Sequence, residues 1–391
     1  MPRRNPHLAK LKAGYLFPEI HKRKLAFLEK NPHAKLIGLG IGDTTEPIPG
    51  PIVEGFKEVV CRLATKESYS GYGPEQGHLE LRKRIAEKIY NDLVEPGDIF
   101  VSDGAKCDLG RLQLLLRPDA SIAIQDPTYP VYVDTSLITG KPSIHFLPCL
   151  PENGFFPDLE RTPKVDALFF CSPNNPTGAA ATRGELEALV KWVKKMGALL
   201  IFDAAYSPYI RDPKLPKSIF EIEGAKECAI EIHSFSKMAG FTGVRLGWSV
   251  VCDALKFDDG ASVKKDWQRI MSTFFNGASN VAQGGGERAL TEAGLEEIEK
   301  QTQFYLENSR ILAKPLLDKG LSVYGGEHTP YLWVEIPHKS SWEAFETFLE
   351  KTHIVTTPGS GFGSSGEGFV RFSAFGHRET ILEAAKRLTT L

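Results

Sequence analysis

The sequence predicts an α/β protein with a mostly parallel sheet in a large domain and a small α+β domain beside it, and three observations predict this. Seven short runs are mostly apolar throughout: Ile99–Ser102, Ser121–Gln125, Ile144–Leu147, Ala167–Cys171, Ala198–Phe202, Cys228–Ile232 and Leu246–Val251. Strands covered on both faces read this way. Helical patterns alternate with them, and such strand-helix-strand units imply a largely parallel sheet with ligands at the carboxyl ends of its strands. The third observation is length: 391 residues is about twice the usual domain size, so a large domain and a smaller companion are expected.

In chain order, Pro18–Lys30 is helix-like and Lys35–Asp43 is a short apolar strand dissolving into glycines. Thr44–Pro51, with three prolines, reads as a linker. The helix between Ala167–Cys171 and Ala198–Phe202 has the most legible ends. Thr182 and Glu185 form a Thr-x-x-Glu capping box, Leu186, Leu189, Val190 and Val193 keep helical spacing, and Gly197 stops it. Glu292–Leu317 is a long helix, after which Leu321–Tyr324, Tyr331–Ile336, Trp342–Lys351 and Phe369–Phe372 suggest the small domain, with Pro358–Gly368 a glycine-rich loop. The expected division is residues 48–294 for the large domain and 1–47 with 295–391 for the small one.

Composition excludes several function classes. Apolar residues at 42% and charged residues at 25% are ordinary for a globular protein, and a net charge of -2 carries no nucleic-acid footprint. Ten histidines and six cysteines are scattered without metal-ligand spacing. Cys107, Cys171, Cys228 and Cys252 lie in or beside apolar runs, as buried reduced thiols do. With no apolar signal segment and no membrane-spanning run, the expected location is the cytoplasm, with no membrane partner.

The chemistry centres on Ser234–Arg245, where Lys237 follows an apolar strand among Ser234, Ser236 and two glycines, with Arg245 eight residues on. A partly desolvated lysine beside other cations loses its proton readily and can form a Schiff base with a carbonyl cofactor. The serines and Arg245 can serve a phosphate; taken alone, the stretch also fits a surface turn. Asp203 follows the strand ending at Phe202 and can hold a pyridine ring nitrogen protonated, or cap the next helix. Asn175, in Ser172-Pro173-Asn174-Asn175-Pro176-Thr177-Gly178, can donate to a phenolic oxygen, or belong to an ordered turn. Ser102-Asp103-Gly104-Ala105-Lys106 joins a strand to a helix, and free amides at a helix start can cradle a phosphate. Tyr129 lies where its face can stack on a flat ring or pack in the core. Arg371, embedded in an apolar strand, needs an anion, either a structural carboxylate or a substrate carboxylate.

Together these residues resemble the fold-type I pyridoxal-phosphate aminotransferases along essentially the whole chain. The stretches Ala13–Ile20, Gly40–Pro47, Tyr69–Gly73, Ser102–Asp108, Phe275–Asn280 and Pro358–Gly363 are similar to phrases of the LL-diaminopimelate aminotransferases. The resemblance implies pyridoxal 5'-phosphate as cofactor, with Lys237 as Schiff-base lysine and proton shuttle, Asp203 on the ring nitrogen, Asn175 and Tyr206 on the ring oxygen and Tyr129 on the ring face. It implies Ala105, Lys106, Ser234, Ser236 and Arg245 around the phosphate, with Tyr72 reaching in from a second subunit of a homodimer. It assigns the substrate α-carboxylate to Arg371, with Gly42 and Asn175 also against substrate. The distal end falls to Tyr15, Glu75, Lys106 and Asn276, Glu75 and Asn276 again from the partner.

The reaction so implied moves an amino group from LL-2,6-diaminopimelate to 2-oxoglutarate. Alternatives are an aminotransferase of aspartate or aromatic amino acids, a pyridoxal-dependent lyase, and a non-catalytic aminotransferase-like regulator. Glu75 speaks against the first, since a dicarboxylate-only enzyme would want a cation there. The absence of a basic helix-turn-helix start speaks against the last.

Overall fold

The computed structural model describes residues 1–11 and 16–391. After a helix α1 (Leu16–Lys30) and a two-residue strand β1 (Ile37–Gly38), α2 (Gly50–Arg62) and α3 (Leu79–Tyr90) lead into the main sheet. That sheet is built from β2 (Ile99–Ser102), β3 (Ser121–Asp126), β4 (Ser143–Pro148), β5 (Ala167–Cys171), β6 (Leu199–Asp203), β7 (Ala229–Ser234) and β8 (Gly247–Val251). Its spatial order is β2-β8-β7-β6-β5-β3-β4. The pairs from β7 through β6, β5 and β3 to β4 are parallel, and β8 runs against both its neighbours. The expectation of a mostly parallel sheet thus holds, with β8 the one reversed strand.

All five residues of β5, of β6 and of β8 are buried, which is why these strands read as unbroken apolar runs. Apolar side chains fill both faces of the sheet, Leu168, Phe170 and Phe202 on one side and Phe169, Ile201 and Ile230 on the other. The crossovers are α4 (Ala105–Leu112), α5 (Val131–Ile138) and α6 (Arg183–Met196), and α7 (Phe235–Met238) is a single turn after β7. In α6 the side chains of Thr182 and Glu185 close the capping box reciprocally, and Gly197 ends the helix at φ +65°. Strand bounds shift by a residue or so: β6 includes Asp203, and Cys228 and Leu246 fall just outside β7 and β8.

Helices α8 (Val263–Phe274), α9 (Asn280–Ala289) and α10 (Glu292–Asp318) carry the chain away from this sheet. A second, antiparallel sheet follows, ordered β12-β13-β10-β9, from β9 (Val323–Gly325), β10 (Tyr331–Glu335), β12 (Thr357–Pro358) and β13 (Phe369–Ser373). Its helices are α11 (Ser341–Thr352) and α12 (Arg378–Leu388), and β11 (Ile354–Val355) pairs in parallel with β1. A separate apolar cluster fills this part, including Leu316, Val334, Phe348 and Phe372. All six cysteines are free; Cys107, expected in the core, is only half-buried because it stands on a cavity wall.

Candidate active site

The carboxyl ends of the parallel strands open on a cavity of about 620 Å³, closed on its far side by the antiparallel sheet. Strand β6 delivers Asp203 as its last residue; β7 ends at Ser234 and turns into α7, which carries Ser236 and Lys237. Asn175 follows β5, Tyr129 follows β3, and Ala105 and Lys106 begin α4. From the second sheet come Tyr331 on β10 and Arg371 on β13.

Lys237 Nζ donates to the carbonyl of Gly42. Burial lowers the pKa of its amine from 10.5 to about 8; the Asp43 carboxylate opposes this, and the charges of Arg371, Arg245 and Lys106 add to it. Asp203 is buried opposite. Its Oδ2 accepts from Tyr132 Oη at 2.8 Å and its Oδ1 from the Ala205 N–H at 3.0 Å. Burial raises its pKa and those two donors pull it down. An ionised carboxylate offers roughly four acceptor sites, so Asp203 retains capacity for a further donor.

Between Lys237 and α4 lies a ring of donors. The amides of Ala105 and Lys106, the first two of α4, come too early for an intrahelical partner, and Gly104 precedes them at φ +118°. A β-carbon there would press on the Arg245 guanidinium, so glycine lets the turn and the cation share one space. Arg245 Nη1 donates to Ser236 Oγ at 3.4 Å and to the Thr242 carbonyl at 3.1 Å. Ser234 Oγ caps α7 by accepting from the Ser236 N–H at 3.0 Å. Behind the α4 turn, Ser102 Oγ accepts from the Gly104 N–H at 3.3 Å and donates to buried Asp108 at 2.6 Å. Lys106 Nζ stands 5.7 Å from the centroid of the Tyr129 ring, within cation–π reach.

Arg371 is held at both terminal nitrogens and by two rings. Its Nη1 donates to Asn175 Oδ1 at 2.6 Å and its Nη2 to the Gly40 carbonyl at 2.7 Å. The guanidinium lies between two rings, 4.3 Å from the centroid of Tyr331 and 4.6 Å from that of Phe362. Its Nε is buried and, among the described residues, unpartnered. The Tyr331 hydroxyl in turn bonds that of Tyr206 at 2.7 Å. Phe362 is set in place by the glycine-rich loop, whose Ser364 Oγ and Ser365 N–H both donate to Asp126 at the end of β3.

The cavity therefore gathers Gly42, Ala105, Lys106, Tyr129, Asn175, Asp203, Tyr206, Ser234, Ser236, Lys237, Arg245 and Arg371, all named from the sequence. Tyr72, Glu75 and Asn276 do not line it. They are exposed, Tyr72 at 88%, and Glu75 and Asn276 lie close together because the Gly277 turn packs on Pro74 and Glu75. Tyr15 falls outside the described residues. Asp43, Tyr132, Tyr331 and Phe362 also line the cavity and were missed. Tyr132, one helical turn after Tyr129, had a signal in that spacing; Tyr331 and Phe362 read as core of the small sheet and its loop.

Residues 34–388 match the family described as aminotransferase class I and II. The chain belongs to this family. Among relatives of this aminotransferase, the LL-diaminopimelate aminotransferase of Protochlamydia amoebophila is 55% identical over 99% of this chain and 97% of its own. A protein of Oryza sativa named probable LL-diaminopimelate aminotransferase, chloroplastic, is 55% identical over 99% of this chain and 86% of its own. The solved structure of L,L-diaminopimelate aminotransferase from Chlamydomonas reinhardtii superposes with a TM-score of 0.94 at 52% identity, covering 99% of this chain and 98% of that one.

Class I and II aminotransferases are in general pyridoxal-phosphate-dependent. The residues present fit that group. A buried amine, a buried carboxylate with acceptor capacity to spare, a tyrosine face and a phosphate-sized ring of amides, hydroxyls and one guanidinium all border one cavity. A metal would find no such donor set in the cationic half, where Lys106, Lys237 and Arg245 converge.

Proposed function

We propose that this aminotransferase moves the amino group of LL-2,6-diaminopimelate to 2-oxoglutarate, reversibly. The products are glutamate and a keto acid that cyclises to tetrahydrodipicolinate, on the way to lysine and peptidoglycan precursors. The observation that carries the reading is the pairing of Lys237 and Arg371 on one wall: the amine bonds the Gly42 carbonyl and the guanidinium that of Gly40. An amine site and a carboxylate fork two residues apart on one strip of backbone suit an α-amino acid. The names of the relatives above support diaminopimelate as that amino acid.

Pyridoxal 5'-phosphate, when bound, supplies an aldehyde that exchanges amino groups and a ring that takes up the electron pair left by a departing α-proton. The chain's own residues do the rest. Lys237 Nζ would hold the aldehyde until the substrate's amine displaces it, and the freed amine would then take the α-proton and return it; a pKa near 8 keeps part of the free amine unprotonated at neutral pH, as a base must be. Asp203 keeps a proton on the ring nitrogen. Tyr206 and the amide of Asn175 donate to the ring oxygen, Asn175 being oriented because Arg371 occupies its Oδ1. Tyr129 covers the ring, and Ala105, Lys106, Ser234, Ser236 and Arg245 hold the phosphate. Arg371 takes the α-carboxylate in its planar fork, beside the Gly42 backbone.

Tyr72, Glu75 and Asn276 serve a second copy of the chain. Their exposure, with that of Tyr69 and Phe274 a few residues away in the chain and of Ile41 at the cavity, supports a homodimer with shared sites. From across that interface Tyr72 would reach the phosphate, while Glu75 and Asn276 would join Tyr15 and Lys106 at the distal ammonium and carboxylate. The unit of residues 48–294 would carry the cofactor and that of 1–47 with 295–391 would close over the substrate. Six free thiols support a reducing compartment, the cytoplasm. The decisive experiment is a panel of amino donors with 2-oxoglutarate as acceptor, including LL- and meso-diaminopimelate, aspartate and aromatic amino acids. Diaminopimelate should exceed every other donor except glutamate in kcat/KM; preference for aspartate or an aromatic donor would overturn the reading.

A further inference from the structure

Among the described residues, one side chain donates to Asp203, and it is Tyr132, through the 2.8 Å bond from Oη to Oδ2. Tyr132 is the second residue of α5, buried and fixed on two sides. Its ring stacks on Phe169 with centroids 5.5 Å apart and meets Tyr129 edge-on at 5.9 Å. Its carbonyl accepts from Ser136 Oγ at 2.7 Å, which anchors the turn behind it. The hydroxyl is thereby held between two partners, the Cys171 thiol and the Asp203 carboxylate, and it donates to the carboxylate, the stronger acceptor. The neighbouring ionisable group on the sheet is Cys171, opposite Asp203 in the β5–β6 register, whose thiol is kept neutral by burial and donates to the Pro173 carbonyl at 3.3 Å. Without Tyr132 the carboxylate would keep, among the described residues, the Ala205 amide alone.

We propose that Tyr132 is a positioning residue: its hydroxyl holds Asp203 ionised and aimed, so that the proton shared with the cofactor's ring stays on the ring nitrogen. The inference rests on the reading of Asp203 given under the proposed function. A hydrogen bond to the charged form of a buried acid lowers its affinity for a proton, by about ten- to a hundredfold for a bond of this kind. Removing the bond makes Asp203 the stronger competitor for the proton, and the ring becomes a poorer electron acceptor.

The test loads the enzyme with pyridoxal phosphate labelled with nitrogen-15 in the ring and reads the nitrogen shift by NMR in wild type, Tyr132→Phe and Asp203→Asn. Wild type is expected at the protonated value, Asp203→Asn at the unprotonated value, and Tyr132→Phe displaced from the first toward the second. In Tyr132→Phe kcat for the amino donor falls about tenfold while KM changes less than about twofold, since the substrate fork is untouched. A Tyr132→Phe shift identical to wild type overturns the proposal and leaves the Asp203 assignment standing. An unprotonated nitrogen in wild type overturns that assignment and the proposal with it. Should Tyr132→Phe not fold, Tyr132→Met also lacks the hydroxyl and is read against the same two limits.

Discussion

Gly42 and Tyr331 are packed so closely that a β-carbon on residue 42 would overlap the tyrosine hydroxyl and stand 2.9 Å from its Cζ. The carbonyl of the same glycine accepts from Lys237, and the same hydroxyl bonds Tyr206. Gly42→Ala must displace one of these groups and is expected to cost about 1–3 kcal/mol, the usual range for overpacking. Tyr331→Phe removes the overlapped oxygen, so in the Gly42→Ala background it should recover part of the loss. Urea denaturation of the four proteins in the cycle measures the coupling, and strictly additive losses would show that the two residues do not meet.

Arg371 should not tolerate lysine. An ammonium has neither the fork that meets a carboxylate at two points nor the flat faces that lie between Tyr331 and Phe362. Arg371→Lys is expected to lower kcat/KM by about a hundredfold, for glutamate and diaminopimelate alike, because both present the same α-carboxylate. Steady-state kinetics with the two donors checks this; a loss confined to diaminopimelate would move Arg371 to the distal end.

Lys237 makes the stability of the apoenzyme depend on pH. Its folded pKa of about 8 lies below the unfolded value of 10.5, so between those limits the unfolded chain binds more protons and stability rises with pH. Below pH 8 the buried charge costs the fold about 3 kcal/mol, at roughly 1.4 kcal/mol per pKa unit. Lys237→Met apoenzyme should therefore be the more stable protein at pH 7, with the gap closing toward pH 10.5. Denaturation curves at four pH values between these limits read the trend, and a constant gap would contradict it.

Glu75→Ala should raise KM for diaminopimelate by about tenfold or more while leaving glutamate within about twofold, because only the longer substrate carries a distal ammonium. If Glu75 acts across a dimer, mixing Lys237→Ala with Glu75→Ala chains should recover diaminopimelate activity in heterodimers. Each heterodimer would pair one intact lysine with an intact glutamate from the other chain. No recovery despite proven subunit exchange would place Glu75 at its own chain's cavity.

The α/β layout was legible because buried strands and capped helices leave local marks. The seven runs became the seven strands of the main sheet, and Thr182, Glu185 and Gly197 mark the ends of α6 as read from sequence. The direction of β8 was not legible, since an apolar run looks the same from either end. Cavity residues were found where they follow a strand end, as Asp203 and Lys237 do. Tyr331 and Phe362 escaped because they reach the cavity through contacts between distant stretches, the Tyr331 hydroxyl with that of Tyr206 and the Phe362 carbonyl with the Thr128 N–H, which no short stretch records. Tyr132 escaped for a different reason: its neighbour Tyr129 already accounted for an aromatic at that strand end.

The clamping of Arg371 between two rings has a consequence for chirality. A guanidinium free to swing could follow a carboxylate of either hand, whereas one gripped on both faces presents its fork in a single plane. An α-amino acid seated there, with its nitrogen toward Lys237, has two of its four bond directions settled, and only one enantiomer can also turn its hydrogen to Nζ. The reacting stereocentre of diaminopimelate would thus be judged inside one chain. The second stereocentre, four bonds of floppy chain further on, would be judged by whatever Glu75 and Asn276 touch. LL and meso forms look alike to the first judge and differ only to the second.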